Sequence, residues 1–78
     1  MSRFRISAVP VDTVALRAEL ADPACGGFVA FEGWVRNHNE GLEVRRLEYE
    51  VYAPLAQREG ERIAAEACER FGVTHVLC

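Results

Sequence analysis

The residues best suited to chemistry lie in one polar run, Trp34-Val35-Arg36-Asn37-His38-Asn39. Arg36 ends a run of β-forming residues, where a side chain reaches solvent while the backbone stays fixed. Its guanidinium is permanently charged and offers a planar fork of donors, which suits a phosphate or a carboxylate. Asn37, His38 and Asn39 add donors and acceptors for a polar heterocycle. The spacing alone leaves a plainer interpretation open, in which these residues only form the turn of a hairpin.

No catalytic residue is predicted in this chain. His38 is of a type that often serves as a general acid or base, but no visible partner accompanies it. Glu48 and Glu50 share one face of a predicted strand, where a solvated sheet edge is the default. Gly26-Gly27 lacks the pattern of a phosphate-binding loop. We therefore expect no catalytic group and no cofactor.

The cysteines do not indicate a metal site. Cys25, Cys68 and Cys78 are odd in number and contain no Cys-x-x-Cys pair, which argues against a disulfide framework and against a zinc knuckle. We predict no metal site and interpret all three as small buried residues. Without an export signal, a reducing cytoplasm is the predicted location.

Four segments have the character of β-strands. Residues 3–9 and 42–52 alternate between apolar and polar, 28–36 are rich in β-formers on both faces, and an apolar strand begins at 73. The polar loop after position 36 should join the second and third strands as an antiparallel hairpin, because Asn and Gly tolerate positive φ.

Two helices separate these strands. Asp12 is expected to cap a helix over 13–21, and Pro54 to begin a helix over 54–71 that Gly72 ends. The inward residues are predicted to be Val14, Ala15, Ala18 and Leu16 or Leu20 on the first helix, and Ile63, Ala64, Ala67, Cys68 and Phe71 on the second. The resulting order, β-α-β-β-α-β, predicts an α+β fold of the split-βαβ, ferredoxin-like kind, in one domain over residues 1–78.

The composition disfavours several classes of function. Half of the 78 residues are hydrophobic, which is a globular balance, and no apolar run approaches a membrane span. The net charge of −3 and the absence of Lys disfavour a generic nucleic-acid binder. A domain this short has a marginal core, so a partner, a second copy or further chain is expected. Because the sequence stops inside an apolar run, we expect it to be the first part of a longer protein.

One run of residues resembles a known family. Phe31-Glu32-Gly33-Trp34-Val35-Arg36-Asn37-His38-Asn39-Glu40-Gly41 is similar to the signature loop of the MoaE family, the large, catalytic subunit of molybdopterin synthase. Residues 47–56 look like that family's next strand and its entry into a helix. The resemblance covers essentially all of this chain but about the N-terminal half of a family member. It implies an α/β hammerhead fold with an added β subdomain, cut short after the start of the fourth strand.

The resemblance also implies a function. Members of this family are sulfurtransferases of molybdenum cofactor biosynthesis, which convert cyclic pyranopterin monophosphate into molybdopterin by building a dithiolene. The sulfur arrives as a thiocarboxylate on the C-terminal Gly-Gly of a small ubiquitin-like sulfur-carrier subunit. Two large subunits form a homodimer at the centre of a heterotetramer. Neither nucleic acid nor membrane is an expected partner.

Site residues carry over one by one. Trp34, Val35 and Arg36 fall on the family's first substrate-binding segment, and Arg36 is the residue expected to hold the anionic pterin. Asn37, His38 and Asn39 would shape the same loop. Position 34 is often Lys in relatives, so contact through Trp34 would be by backbone or stacking. The family's His-Arg-x-Gly segment and its catalytic lysine are absent, so we predict that these 78 residues alone are inactive.

Two other functions stay open at this stage. One is a non-catalytic, ferredoxin-like interaction module that dimerises through an open sheet edge. The other is RNA binding through Phe28, Phe31 and Trp34 on a sheet surface, which the acidic charge disfavours.

Overall fold

The computed structural model describes residues 2–78. In chain order, these residues form helix α1 (Thr13–Leu20), strand β1 (His38–Asn39), strand β2 (Leu42–Glu43) and helix α2 (Ala53–Phe71). The two strands pair antiparallel, with Asn39 opposite Leu42. The predicted α+β class is confirmed. An antiparallel hairpin forms in this region, but its first strand, His38–Asn39, lies within the predicted loop and not within 28–36.

The helix signals predicted at Asp12, Pro54 and Gly72 are confirmed, although α1 ends at Leu20, one residue before the predicted end. The Asp12 carboxylate accepts a hydrogen bond from the Ala15 amide at 3.0 Å, which satisfies one of the free donors at the start of α1. Pro54 lies in the first turn of α2, where its missing N–H costs nothing. Gly72 ends α2 with a φ of 65°, a left-handed conformation that glycine adopts without strain.

The N-terminal segment, residues 2–5, packs against one face of α2. The Phe4 ring lies directly over Gly60, so closely that a Cβ at that position would overlap it. Ala64, one turn further along the same face, is 2% exposed and is the one buried hydrophobic residue among those the structure describes. Gly60 therefore lets an aromatic side chain approach the helix backbone.

Polar side chains of α2 hold the same segment from its two sides. The Glu61 carboxylate accepts from the amides of Arg3 and Phe4, each at 3.1 Å, and from the Ser2 hydroxyl. The Gln57 amide group donates to the Phe4 carbonyl. These bonds, with the Ser2 hydroxyl first and the two backbone amides next, hold the pKa of Glu61 below its ordinary value.

Two further contacts connect residues 2–5 to the rest of the chain. The Cys78 amide donates to the Arg3 carbonyl, and the Cys78 carbonyl accepts from the Arg5 amide, both at 2.8 Å. One residue bonded to two alternate residues is the pattern of a parallel strand pair. The Arg5 guanidinium makes a bidentate pair with Glu19 of α1, with both N–O distances at 2.7 Å.

Three segments predicted as strands do not form regular strands, although Arg3 and Arg5 share backbone hydrogen bonds with Cys78. Within residues 2–78, no strand forms over 3–9, 28–36 or 73–78, and the third strand is limited to Leu42–Glu43. Alternation and β-formers favour an extended backbone, but a strand also needs a neighbour with matching donors and acceptors. The split-βαβ order and the hammerhead topology are accordingly not confirmed.

The inward faces of the helices also differ from the prediction. Leu16 and Leu20 of α1 are half-buried as expected, but Val14, Ala15 and Ala18 are exposed, Val14 by 79%. On α2, the predicted residues Ile63 and Phe71 are exposed, whereas Ala64, Ala67 and Cys68 turn inward. The N-terminal segment packs on Gly60 and Gln57. The face of α2 that makes this contact is therefore shifted to one side of the apolar stripe that was predicted to face inward.

Much apolar surface stays uncovered. The accessible surface is 7250 Å², against roughly 4700 Å² for a compact protein of this mass. The radius of gyration of 15.3 Å likewise exceeds the about 11–12 Å expected for this length. The prediction of a marginal core is confirmed, because Ala64 is the one buried hydrophobic residue within residues 2–78.

Candidate functional site

A tight turn sets the shape of the predicted site. Glu40 and Gly41 connect β1 to β2 and both have positive φ, at 51° and 79°. Positive φ at both central residues is the mark of a type I′ turn, whose twist matches that of paired strands. The sequence placed Asn in this role, but Glu40 occupies the position instead. Asn37 and Asn39 are left to bond with other groups.

The residues predicted to bind substrate line a groove beside this hairpin. The groove encloses about 490 Å³. Its lining includes Trp34, Val35, Arg36, His38 and Asn39, together with Gly33, Val44, Leu47 and Tyr49. Five of the six predicted residues thus meet at one surface, which gives the site a concave shape suited to a small ligand.

Asn37 is the predicted residue that does not line the groove. Its carbonyl accepts from the Val44 amide at 2.7 Å, which extends the hairpin by one more bond. Its side-chain Oδ1 lies 2.9 Å from His38 Nδ1. Because an amide oxygen only accepts, Nδ1 donates in this bond and Nε2 stays available. Asn37 therefore fixes the strand and the imidazole instead of facing a ligand.

Arg36 is the polar anchor of the groove. One guanidinium nitrogen donates to Asn39 Oδ1 at 3.3 Å, which restrains the long side chain across the hairpin. The two arginines that follow on the chain are paired with acids, Arg45 with Glu43 at 3.4 Å and Arg46 with Glu48 at 2.6 Å. Arg36 forms no ion pair within residues 2–78. Its charge is thus free to bind an anion.

Aromatic and aliphatic side chains form the walls around this charge. Trp34 and Tyr49 are each 84% exposed, and Val35 and Leu47 are about half exposed. An exposed indole next to a guanidinium suits a flat, partly apolar ring that carries a negative group. The groove can therefore hold a planar heterocyclic anion, with no nucleophile–base pair visible in its lining.

A second cluster escaped the sequence analysis. Asp22, Cys25 and His75 each present one ligand atom, and the three atoms lie within 4.8 Å of one another. The expectation of buried cysteines fails here, since Cys25 and Cys78 are exposed and Cys68 is half-buried. The short spacing of Asp22 and Cys25 could have indicated two ligands of one site. Nothing in the sequence indicated that His75 lies close to them.

Neither α1 nor α2 is long and apolar enough to cross a bilayer, among the residues that the structure covers. The groove residues likewise lie on short loops and strands at the surface.

Comparison with known proteins gives a consistent result. The chain matches the family model described as MoaE protein over residues 6–78. It is 34% identical to the molybdopterin synthase catalytic subunit of Bos taurus over 95% of this chain and 38% of that relative. The protein of the same name from Staphylococcus carnosus is 34% identical over 97% of this chain and 51% of that relative. For Pyrococcus abyssi the identity is 42% over 77% of this chain and 40% of the relative.

The chain spans about half or less of the length of these curated relatives. No solved structure matches it.

Proposed function

The chain belongs to the MoaE family, and on that premise we propose that it carries the substrate loop of a molybdopterin synthase catalytic subunit in molybdenum cofactor biosynthesis. In this proposal, Arg36 binds the anionic phosphate of cyclic pyranopterin monophosphate. Trp34 stacks on the pterin, and His38 and Asn39 bond to its polar edge. The observation that carries the proposal is the groove in which these four side chains meet around one unpaired guanidinium.

The geometry supports binding by charge and shape together. A guanidinium binds phosphate through two parallel bonds, which fixes orientation as well as position. The nearby pairs Arg45–Glu43 and Arg46–Glu48 cancel their own charges, so the local positive field comes from Arg36. The restraint from Asn39 lowers the entropy that this side chain loses on binding.

Sulfur transfer itself needs groups and partners beyond these residues. In the proposal, sulfur comes from the thiocarboxylate at the C-terminal Gly-Gly of a small ubiquitin-like subunit, and two catalytic subunits pair at the centre of a heterotetramer. The 78 residues contain no Lys, so a catalytic lysine has to lie outside them. We therefore expect this segment alone to bind the pterin without forming a dithiolene.

The direct test is Arg36→Ala in the full-length protein. Loss of a charge-assisted anchor costs about 1.5–3 kcal/mol, so calorimetry should show pterin affinity falling about tenfold to a hundredfold. Arg36→Lys should recover part of the loss, because it keeps the charge without the fork. Arg45→Ala, on the same hairpin but paired with Glu43, is the matched control and should bind nearly as the wild type does.

Unchanged pterin affinity in Arg36→Ala would contradict the proposal. It would leave the loop as a turn alone.

A second candidate, a non-catalytic dimerisation module, is favoured by one observation. Val29 and Phe31 are each 94% exposed, and Trp34 and Tyr49 are each 84% exposed. Surfaces of this kind usually mark contact with another protein. The candidates are distinguished by ligand binding, since a pure module would dimerise with no affinity for the pterin.

A further inference from the structure

Three side chains of different ligand chemistry meet where the end of α1 approaches the segment that follows α2. Asp22 and Cys25 lie just after α1, and His75 lies 53 residues further along the chain from Asp22. His75 Nε2 is 2.8 Å from Asp22 Oδ2, and all three ligand atoms lie within 4.8 Å of one another. None of the three residues lines the groove around Arg36, so this cluster is independent of the proposed pterin site.

The backbone holds the carboxylate in place. Asp22 Oδ1 accepts from the Ala24 amide at 2.9 Å, and the Asp22 carbonyl accepts from the Cys25 amide at 3.0 Å. Both bonds leave Oδ2 directed at His75. The hydrogen bond to Oδ1 fixes the direction in which Oδ2 points. Outer-sphere hydrogen bonds orient metal ligands in the same way.

We propose that Asp22, Cys25 and His75 bind a zinc ion. One oxygen, one sulfur and one nitrogen form a mixed set that suits Zn²⁺ and disfavours Ca²⁺ and Mg²⁺, which take oxygen ligands. Three protein ligands leave the fourth tetrahedral position to water or to a group from another molecule. Cys25 and His75 are exposed, so the ion has a path from solvent.

Little movement is needed to reach tetrahedral geometry. Usual zinc–ligand bond lengths place neighbouring ligand atoms about 3.4–3.6 Å apart. The Asp22–His75 contact at 2.8 Å must therefore open by less than about 1 Å, and the wider separations, at most 4.8 Å, must close by about 1 Å. Rotations of exposed side chains on a fixed turn achieve both shifts.

The proton balance follows from the ligand types. Zinc binds the thiolate of Cys25 and the neutral imidazole of His75, so the thiol proton is released to solvent. The proton that His75 Nε2 donates to Asp22 is transferred to Nδ1, which leaves Nε2 as the ligand atom and the ring neutral. Asp22 is already a carboxylate at neutral pH and releases no proton. The ion replaces the direct Asp22–His75 bond and connects α1 to the segment after α2.

The test uses the full-length protein with Co²⁺ or Zn²⁺ alone as the probe. Co²⁺ should give a saturable thiolate-to-metal charge-transfer band at one ion per chain, and Zn²⁺ should displace it. Cys25→Ser should abolish the band, and His75→Ala should weaken metal affinity by at least about tenfold. Zn²⁺ should release about one proton per chain from the wild type and none from Cys25→Ser.

Matched controls are Cys78→Ser and His38→Ala, which change an exposed thiol and an exposed imidazole outside the cluster. Both should bind metal within about twofold of the wild type. All four changes are at exposed positions, and circular dichroism verifies that each variant keeps its helices. No saturable binding, or a charge-transfer band that survives Cys25→Ser, would overturn the proposal.

Discussion

Residues 3–9 and 28–36 are both predicted as strands and both carry aromatic side chains, yet the structure treats them differently. Phe4 is half-buried on α2, and its backbone is held on both sides by Gln57 and Glu61. Phe31 and Trp34 are 94% and 84% exposed. The difference comes from the neighbouring element and not from the segment itself. Helix α2 presents a glycine to the Phe4 ring, and a carboxylate and a carboxamide to the Phe4 backbone.

The comparison has a functional side. Residues 3–9, here called the held region, belong to the part of the molecule that packs on α2. Residues 28–36, here called the exposed region, lead into the groove around Arg36. The groove takes its geometry from a two-residue turn and from side-chain bonds within the hairpin. A site built in this way depends more on the hairpin turn than on the packing against α2. The following three predictions test the two regions separately.

The largest expected effect on stability comes from Gly60→Ala. Ala is a better helix former than Gly, but the added methyl group overlaps the Phe4 ring. Such overpacking costs about 1–3 kcal/mol, which exceeds the gain of about 1 kcal/mol in helix propensity. Urea unfolding should therefore show a destabilised protein.

The matched background is Phe4→Ala. With the ring removed, Gly60→Ala should become stabilising by about 1 kcal/mol, so the two changes are strongly coupled. If Gly60→Ala stabilises the protein equally in both backgrounds, residues 2–5 are not held as described.

A smaller effect is expected from Gly41→Ala in the exposed region. At a φ of 79°, a side chain costs about 1–2 kcal/mol. The hairpin should open more often, which amide exchange at Val44 measures, and pterin affinity should fall with it. Gly27→Ala is the control, because Gly27 lies outside the groove and the structure leaves open space there. Equal exchange in both variants would mean that the turn does not set the groove.

The smallest effect is the pH dependence of the held region. Because the pKa of Glu61 is lowered from 4.5, its contribution is fully present above that value and is lost as the pH falls through the lower folded pKa. Solvent screening keeps the contribution small. The Phe4 amide-proton shift should follow this titration below pH 4.5 and lose it in Glu61→Gln. Glu69→Gln, further along α2, should leave the titration unchanged.

Local signals in the sequence determined much of this protein. Asp12, Pro54 and Gly72 set the helix ends, because capping depends on the residues within one turn. The run from Trp34 to Asn39 carried the resemblance to the family, and five of its six residues line the groove, although Gly33, Val44, Leu47 and Tyr49 also line it and were not predicted. Both depend on neighbours in the chain, so both are readable from the residues alone.

Tertiary structure decided the rest. A β-prone segment becomes a strand only beside a partner in matching register, which the segment itself does not specify. No regular strand forms over 3–9, 28–36 or 73–78, and pairing there is limited to the bonds of Arg3 and Arg5 with Cys78. The packing of Phe4 on Gly60 brings together residues 56 positions apart in the sequence, and the Asp22–His75 bond connects residues 53 positions apart. Such contacts depend on how the helices lie against the chain ends, and periodicity carries no information on that arrangement.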